Sequence, residues 1–142
     1  MKTLRQILEE KGTEVFSVAP DDSVLDAIKA MADHDIGALV VLDREMLVGI
    51  VTERHYARRV FLKGKSSPKT QVKDIMTTPV VCADHSQSTD QGLALMTEKK
   101  IRHLPVINEN QVIGIVSIGD LVKSKISDQD FVIDQLERYI SG

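Results

Sequence analysis

The chain has one cysteine, four prolines and no tryptophan, and its aromatic residues are three phenylalanines and two tyrosines in 142 residues. A lone cysteine, Cys82, excludes an internal disulfide and a cysteine-based zinc site. With so few rings, the core has to be assembled from Ile, Leu, Val, Ala and Met. That palette suits helices packed on sheets better than an aromatic-rich β-sandwich. No apolar run approaches the ~20 residues of a membrane span. The opening MKTLRQILEEKG is too charged for the apolar stretch of a signal peptide. A cytoplasmic location without a membrane partner is therefore expected. The net charge is −3, which argues against a nucleic-acid partner, because phosphate contacts ask for a basic surface. Charge is nevertheless uneven. From Glu53 to Lys73 there are seven Lys or Arg and one acid, whereas from Ser127 onward there are four acids and one Arg. A basic stretch beside a neutral core suits a small polyphosphate.

What the chain does have is itself, twice. Displaced by 65 positions, residues 15–56 fall on 80–121 without a gap, and nine of the 42 positions are identical. Val15 meets Val80, Ser23 meets Ser88, Met31 meets Met96, and Gly49-Ile50-Val51 meets Gly114-Ile115-Val116. The apolar pattern carries more weight than the identities, because it stays in register through helix and strand alike. Each copy reads as strand, helix, strand, strand, helix. In the first, a strand at 15–18 stops at Pro20, and Ser23 offers an N-cap to a helix striped by Val24, Leu25, Ile28 and Met31. Strands follow at 38–42 and 47–52 around a polar turn at 43–45, then a helix over 53–62. The second copy places strands at 80–83, 104–108 and 111–117, and helices at 87–100 and from 118. The fold class is α+β, with tandem βαββα repeats flanked by N- and C-terminal helices.

Outside the repeats, Leu4, Ile7 and Leu8 stripe a short helix that Gly12 ends. Residues 63–71 are a flexible basic linker, and Phe131–Ile140 is a terminal helix with an apolar side. The expected partition is 1–12 helix, 13–62 first repeat, 63–76 linker and lead-in, 77–126 second repeat and 127–142 helix. A copy of about 45 residues is too short to bury an adequate core alone. The halves are therefore expected to pack together about a pseudo-twofold axis.

Three segments carry a family resemblance: Ile101-Arg102-His103-Leu104-Pro105-Val106, the run from Gly114 to Leu121, and the lead-in Val72-Lys73-Asp74-Ile75-Met76-Thr77. In order and doubled, they resemble the CBS (cystathionine β-synthase) domain pair of the stand-alone bacterial kind. The resemblance covers roughly residues 12–125. It implies a regulatory sensor, not an enzyme and with no obligatory cofactor, whose clefts take AMP or another adenine nucleotide such as ATP or NAD. It also implies a homodimer that passes its signal to a regulated protein.

The resemblance assigns roles residue by residue. In one cleft Asp120 would hold a ribose, as an acceptor-only carboxylate suits a diol, with Ser117 in support at a helix start. Arg102 and His103 would reach phosphate, Thr13 and Val15 would flank the adenine, and Pro105 would line the same cleft. Ser117-x-x-Asp120 is equally a capping box, which only starts a helix. The second cleft would draw on Ala38, Thr52, Arg54, His55, Arg58, Thr78 and Val80. There His55 stands where the other copy has Asp120, and a neutral imidazole has only one accepting nitrogen. Arg54 and Arg58, four apart, suit a phosphate or simply a solvated helix face. The two clefts are therefore expected to be inequivalent.

Other chemistry is thin. Histidines 34, 55, 85 and 103 lack metal-ligand spacing. Ser117, His103 and Asp120 lack a nucleophile elbow. Cys82, matched to Ser17 of the first copy, reads as a small core residue. Two alternatives remain: a structural dimer with vestigial clefts, and an enzyme related to inosine monophosphate dehydrogenase, for which the chain has no barrel or catalytic cysteine loop.

Overall fold

In a computed structural model, residues 2–12 and 14–141 are described, with Ser141 by its backbone only. They form two compact units, one of Glu14–Val80 and the other of residues 2–12 together with 81–141.

In the 14–80 unit, Ser23 accepts a hydrogen bond from the Asp26 N–H and starts α2, Val24–His34. Val24, Ala27 and Met31 form its buried stripe, and Asp35 ends it in the left-handed conformation. β1 is Ser17–Val18, β2 Ala38–Asp43 and β3 Met46–Thr52. β2 lies in the middle of the sheet, parallel to β1 and antiparallel to β3. The first four residues of β2 are buried, so both faces of the strand are covered there and both are apolar. α3, Glu53–Tyr56, widens into a π-helical turn at Ala57–Phe61 that buries Val60.

The second unit contains α1 (Leu4–Lys11), β4 (Ala83–Asp84), α4 (Thr89–Lys99), β5 (His103–Asn108), β6 (Gln111–Ser117) and α5 (Ile118–Ser141). The sheet order β4-β5-β6 repeats that of the first unit, down to an irregularity at Val106/Ile107 matching the one at Val41/Leu42. Thr89, Gly92 and Met96 are buried on α4, 65 positions from Val24, Ala27 and Met31. The repeat helix and the terminal helix are one element, because α5 runs unbroken through 127. Among the described residues no helix is long and apolar enough to cross a membrane.

The strands expected at 15–18 and 80–83 begin only at Ser17 and Ala83. Alternate residues of β5 turn their backbone groups toward β4, as the Ile107 carbonyl does in accepting from the His85 N–H. Pro105 occupies such a position and has no N–H to give. Cys82 therefore stays outside the ladder and is half-buried rather than a core residue. Its burial still pushes the thiol pKa up, away from the reactive thiolate.

Both hairpins turn through two residues at positive φ, Arg44-Glu45 and Glu109-Asn110. Asn tolerates that region and Arg and Glu do so poorly. Replacing Arg44-Glu45 by Asn-Gly should raise stability by about 1 kcal/mol, read as a higher thermal midpoint.

A second repeat, at a spacing of 68, lies in the lead-ins. Leu4 N–H donates to the Gln87 carbonyl and Val72 N–H to the Asp22 carbonyl; Arg5 N–H donates to His85 and Lys73 N–H to Pro20. Lys2 and Thr70 offer their carbonyls to the first N–H groups of α4 and α2, on Thr89 and Val24, which have no partner inside their helices. Leu4, Ile7 and Leu8 are buried in one unit, and their counterparts Val72 and Ile75 in the other. Each lead-in closes over a glycine. A Cβ on Gly114 would lie 2.6 Å from Leu8 Cδ2, and one on Gly49 2.9 Å from Met76 Cγ. The lead-in of the first repeat thus packs on the second sheet, and that of the second repeat on the first.

Candidate functional site

β6 ends at Ser117, in register with His103 of β5. The Ser117 N–H donates to Asp120 Oδ2 at 2.8 Å, and the Asp120 N–H donates to Ser117 Oγ at 3.1 Å. The capping box readable from the sequence is therefore formed. It does not exhaust the carboxylate. Lys11 Nζ, at the end of α1, donates to Asp120 Oδ2 at 2.6 Å and to the Ile115 carbonyl at 2.9 Å. Oδ2 thus takes two donors, and Oδ1 has no partner among the described residues. Burial pushes the Asp120 carboxyl up, but the Lys11 ammonium and the two bonds to Ser117 outweigh it and hold the group below its ordinary value. The result is an ionised, half-buried carboxylate at the start of a helix, with one oxygen that no described residue engages.

The corresponding place in the first repeat uses the same backbone with different chemistry. Thr52 N–H donates to His55 Nδ1 and His55 N–H donates to Thr52 Oγ1, both at 3.2 Å. A backbone donor at Nδ1 assigns the ring proton to Nε2. Nε2 then donates to Thr77 Oγ1, 3.1 Å away. The one accepting nitrogen of the ring is already in use, so the carboxylate's open acceptor has no counterpart here. Arg59 Nη1 donates to the Ile75 carbonyl at 2.6 Å, while Arg54 and Arg58 are exposed. Ala38 is buried opposite Thr52, Thr78 is exposed and Val80 half-buried.

Of the other residues picked out by sequence, Thr13 lies outside the described residues. Val15 belongs to the 14–80 unit, whereas Arg102, His103, Pro105, Ser117 and Asp120 share the other. Arg102 is exposed and Pro105 buried within β5. Two site residues were missed: Lys11, the last residue of α1, and Thr77, which closes the second lead-in. Both stand outside the 65-residue register, and only the 68-residue one ties their segments to the sheets they cover. Among the described residues, no group of three or more His, Cys, Asp or Glu side chains could hold a metal ion.

The CBS domain family profile matches residues 5–61 and 72–127. The chain is 51% identical to a CBS-domain protein of known structure from Burkholderia ambifaria MC40-6, covering 90% of this chain and 96% of that one with a TM-score of 0.85. It is 36% identical to the mitochondrial CBS domain-containing protein CBSX3 of Arabidopsis thaliana, over 99% of this chain and 72% of the relative. It is 25% identical to the CBS domain pair of protein MJ0100, solved in complex with 5′-methylthioadenosine and S-adenosyl-L-methionine. That match covers 86% of this chain and 98% of that one, with a TM-score of 0.77.

Proposed function

The chain belongs to the CBS domain family, and from that premise we propose that it is a regulatory module binding an adenosine-containing ligand at the Ser117–Asp120 end of its second repeat. The observation that carries this reading is the ionised Asp120 carboxylate with Oδ1 unengaged among the described residues. The two ligands bound by the MJ0100 domain pair share an adenosine, and hence a ribose diol with two hydroxyl donors. AMP, ATP and NAD offer the same diol. Lys11 beside the carboxylate adds a cation that suits the phosphate of a nucleotide. In this reading the ligand is bound and not transformed, since Ser117 Oγ already accepts the Asp120 N–H as the cap of α5. The protein works in this reading as a cytoplasmic homodimer that passes its state to a regulated partner. Binding shifts that state only as far as the ligand prefers one conformation.

A thermal-shift series with AMP, ATP, NAD, S-adenosylmethionine and, as a ribose-free control, adenine tests the reading. A ligand present at 100 times its dissociation constant stabilises by about 2.7 kcal/mol. At least one adenosyl compound should raise the midpoint and adenine should not. Silence from all of them would leave a structural dimer with vestigial clefts.

The inequivalence of the two ends has its own consequence. His55→Asp restores a carboxylate that can cap α3 through one oxygen and present the other. Calorimetric titration of this variant should reveal a second binding event, or strengthen a weak one by roughly tenfold, the value of one charge-assisted hydrogen bond. Two equal sites in the unmodified protein would remove the basis of this prediction.

A further inference from the structure

α5 leaves large apolar side chains in water along most of its length, and beside Phe131, Val132 and Tyr139 five of them fall in one row. Val122, Ile126, Ile133, Leu136 and Ile140 are 42, 53, 52, 55 and 82% exposed. Soluble chains scatter single exposed apolar residues, but a contiguous row of them marks a contact surface. With Gln129, these residues occupy positions 122, 126, 129, 133, 136 and 140, an alternation of four and three. That spacing is the a/d seam of a coiled coil. Ile126, Ile133 and Ile140 fall at a, and Val122, Gln129 and Leu136 at d. A row at this spacing follows one side of an α-helix for about 27 Å, at 1.5 Å per residue. In α5 the row crosses the point where the repeat helix passes into the terminal one.

We propose that α5 pairs along this seam with α5 of a second copy, as a parallel two-stranded coiled coil. Ile at all three a positions, with Leu136 at a d position, is in keeping with two strands. In parallel register Gln129 faces Gln129 of the second copy, an amide pair that can bond to itself and fixes the alignment. Asp130, at e, then lies opposite Lys125 of the second copy, at g, an ammonium that also reaches Asp90 of its own chain at 3.1 Å. A lipid surface is the poorer occupant. Residues from Ser127 onward carry four acids against one Arg, and anionic lipid attracts basic helices rather than acidic ones. The inference takes the homodimer from the proposed function and is independent of the nucleotide.

Sedimentation equilibrium of the full chain tests it. The unmodified protein should be a dimer at micromolar concentration. Ile133→Asp should raise the dimer dissociation constant by roughly tenfold or more, because the seam would bury an unpaired carboxylate. The circular dichroism and melting of its monomer should stay unchanged, since Ile133 is exposed within its own chain. Gln129→Leu should tighten the dimer. Leu136→Cys in a Cys82→Ser background should cross-link to itself when diamide is added, as only parallel, in-register helices bring two d positions together. A dimer indifferent to Ile133→Asp would overturn the seam and leave the homodimer standing. A monomeric unmodified protein would overturn both. A dimer in which the Leu136→Cys variant fails to cross-link would be antiparallel, and would overturn the orientation.

Discussion

Asp120→Asn should weaken adenosyl-ligand binding by roughly 10- to 100-fold, because a hydrogen bond to a charged group contributes about 1.5–3 kcal/mol. The carboxylate has four acceptor positions. Ser117 and Lys11 occupy one oxygen and leave the other for a ribose diol. An asparagine keeps one oxygen for the capping box but turns an NH2 toward the diol, replacing an acceptor with a donor. Calorimetry on the variant reads the loss directly. An affinity within twofold of the unmodified protein would place the ribose elsewhere. The same substitution has a pH signature. The folded Asp120 carboxyl lies below its unfolded value, near 3.9, so its ionised form stabilises the fold at neutral pH. That contribution is lost as pH falls through the folded value. Melting curves of Asp120→Asn and the unmodified protein should therefore differ at pH 7 and converge in acid.

The 65-residue register was legible because the periodicities of helix and strand both had to survive it. It placed Val24/Thr89, Ala27/Gly92 and Met31/Met96 as matching core positions, and it exposed the difference that bears on the site, His55 against Asp120. It could not show what covers each sheet. Leu4, Ile7 and Leu8 match Val72, Ile75 and Met76 only at a spacing of 68, and each segment packs on the copy that does not follow it. A reading that keeps each lead-in with its own repeat therefore misses Lys11 at Asp120 and Thr77 at His55. Some misses were avoidable. Pro105 stands where Val40 pairs with Ser17, so the exclusion of Cys82 from the ladder was written in that residue. The continuity of α5 was hidden by the partition at 126/127, which put a boundary inside one helix. Judged by its 4-3 spacing, the series 122–140 passes through that boundary, apolar at every position but Gln129.

Leu8→Ala should be among the most destabilising single changes in the chain, costing about 2–5 kcal/mol. Leu8 is 1% exposed, and its methyls lie over the bare backbone of Gly114, where a Cβ would come within 2.6 Å of Cδ2. Gly114→Ala alone should cost about 1–3 kcal/mol by overpacking the same contact. The two changes should not add, because the second partly fills the space that the first empties. A double-mutant cycle by urea denaturation should return a coupling of about 1 kcal/mol or more in the relieving direction. Additive losses would mean that α1 lies elsewhere in solution. The cycle also reaches the ligand site. Eight residues are too few to hold a helix without a surface to pack on, so truncating Leu8 loosens α1 along its length and withdraws Lys11 from Asp120. The Asp120 carboxyl then loses its main lowering partner while keeping its cap from Ser117. Its titration, followed by carboxyl-carbon NMR, should move up in Leu8→Ala and return part of the way in the double variant. A buried leucine on one side of the sheet would thereby set whether Lys11 stands beside the carboxylate at its end.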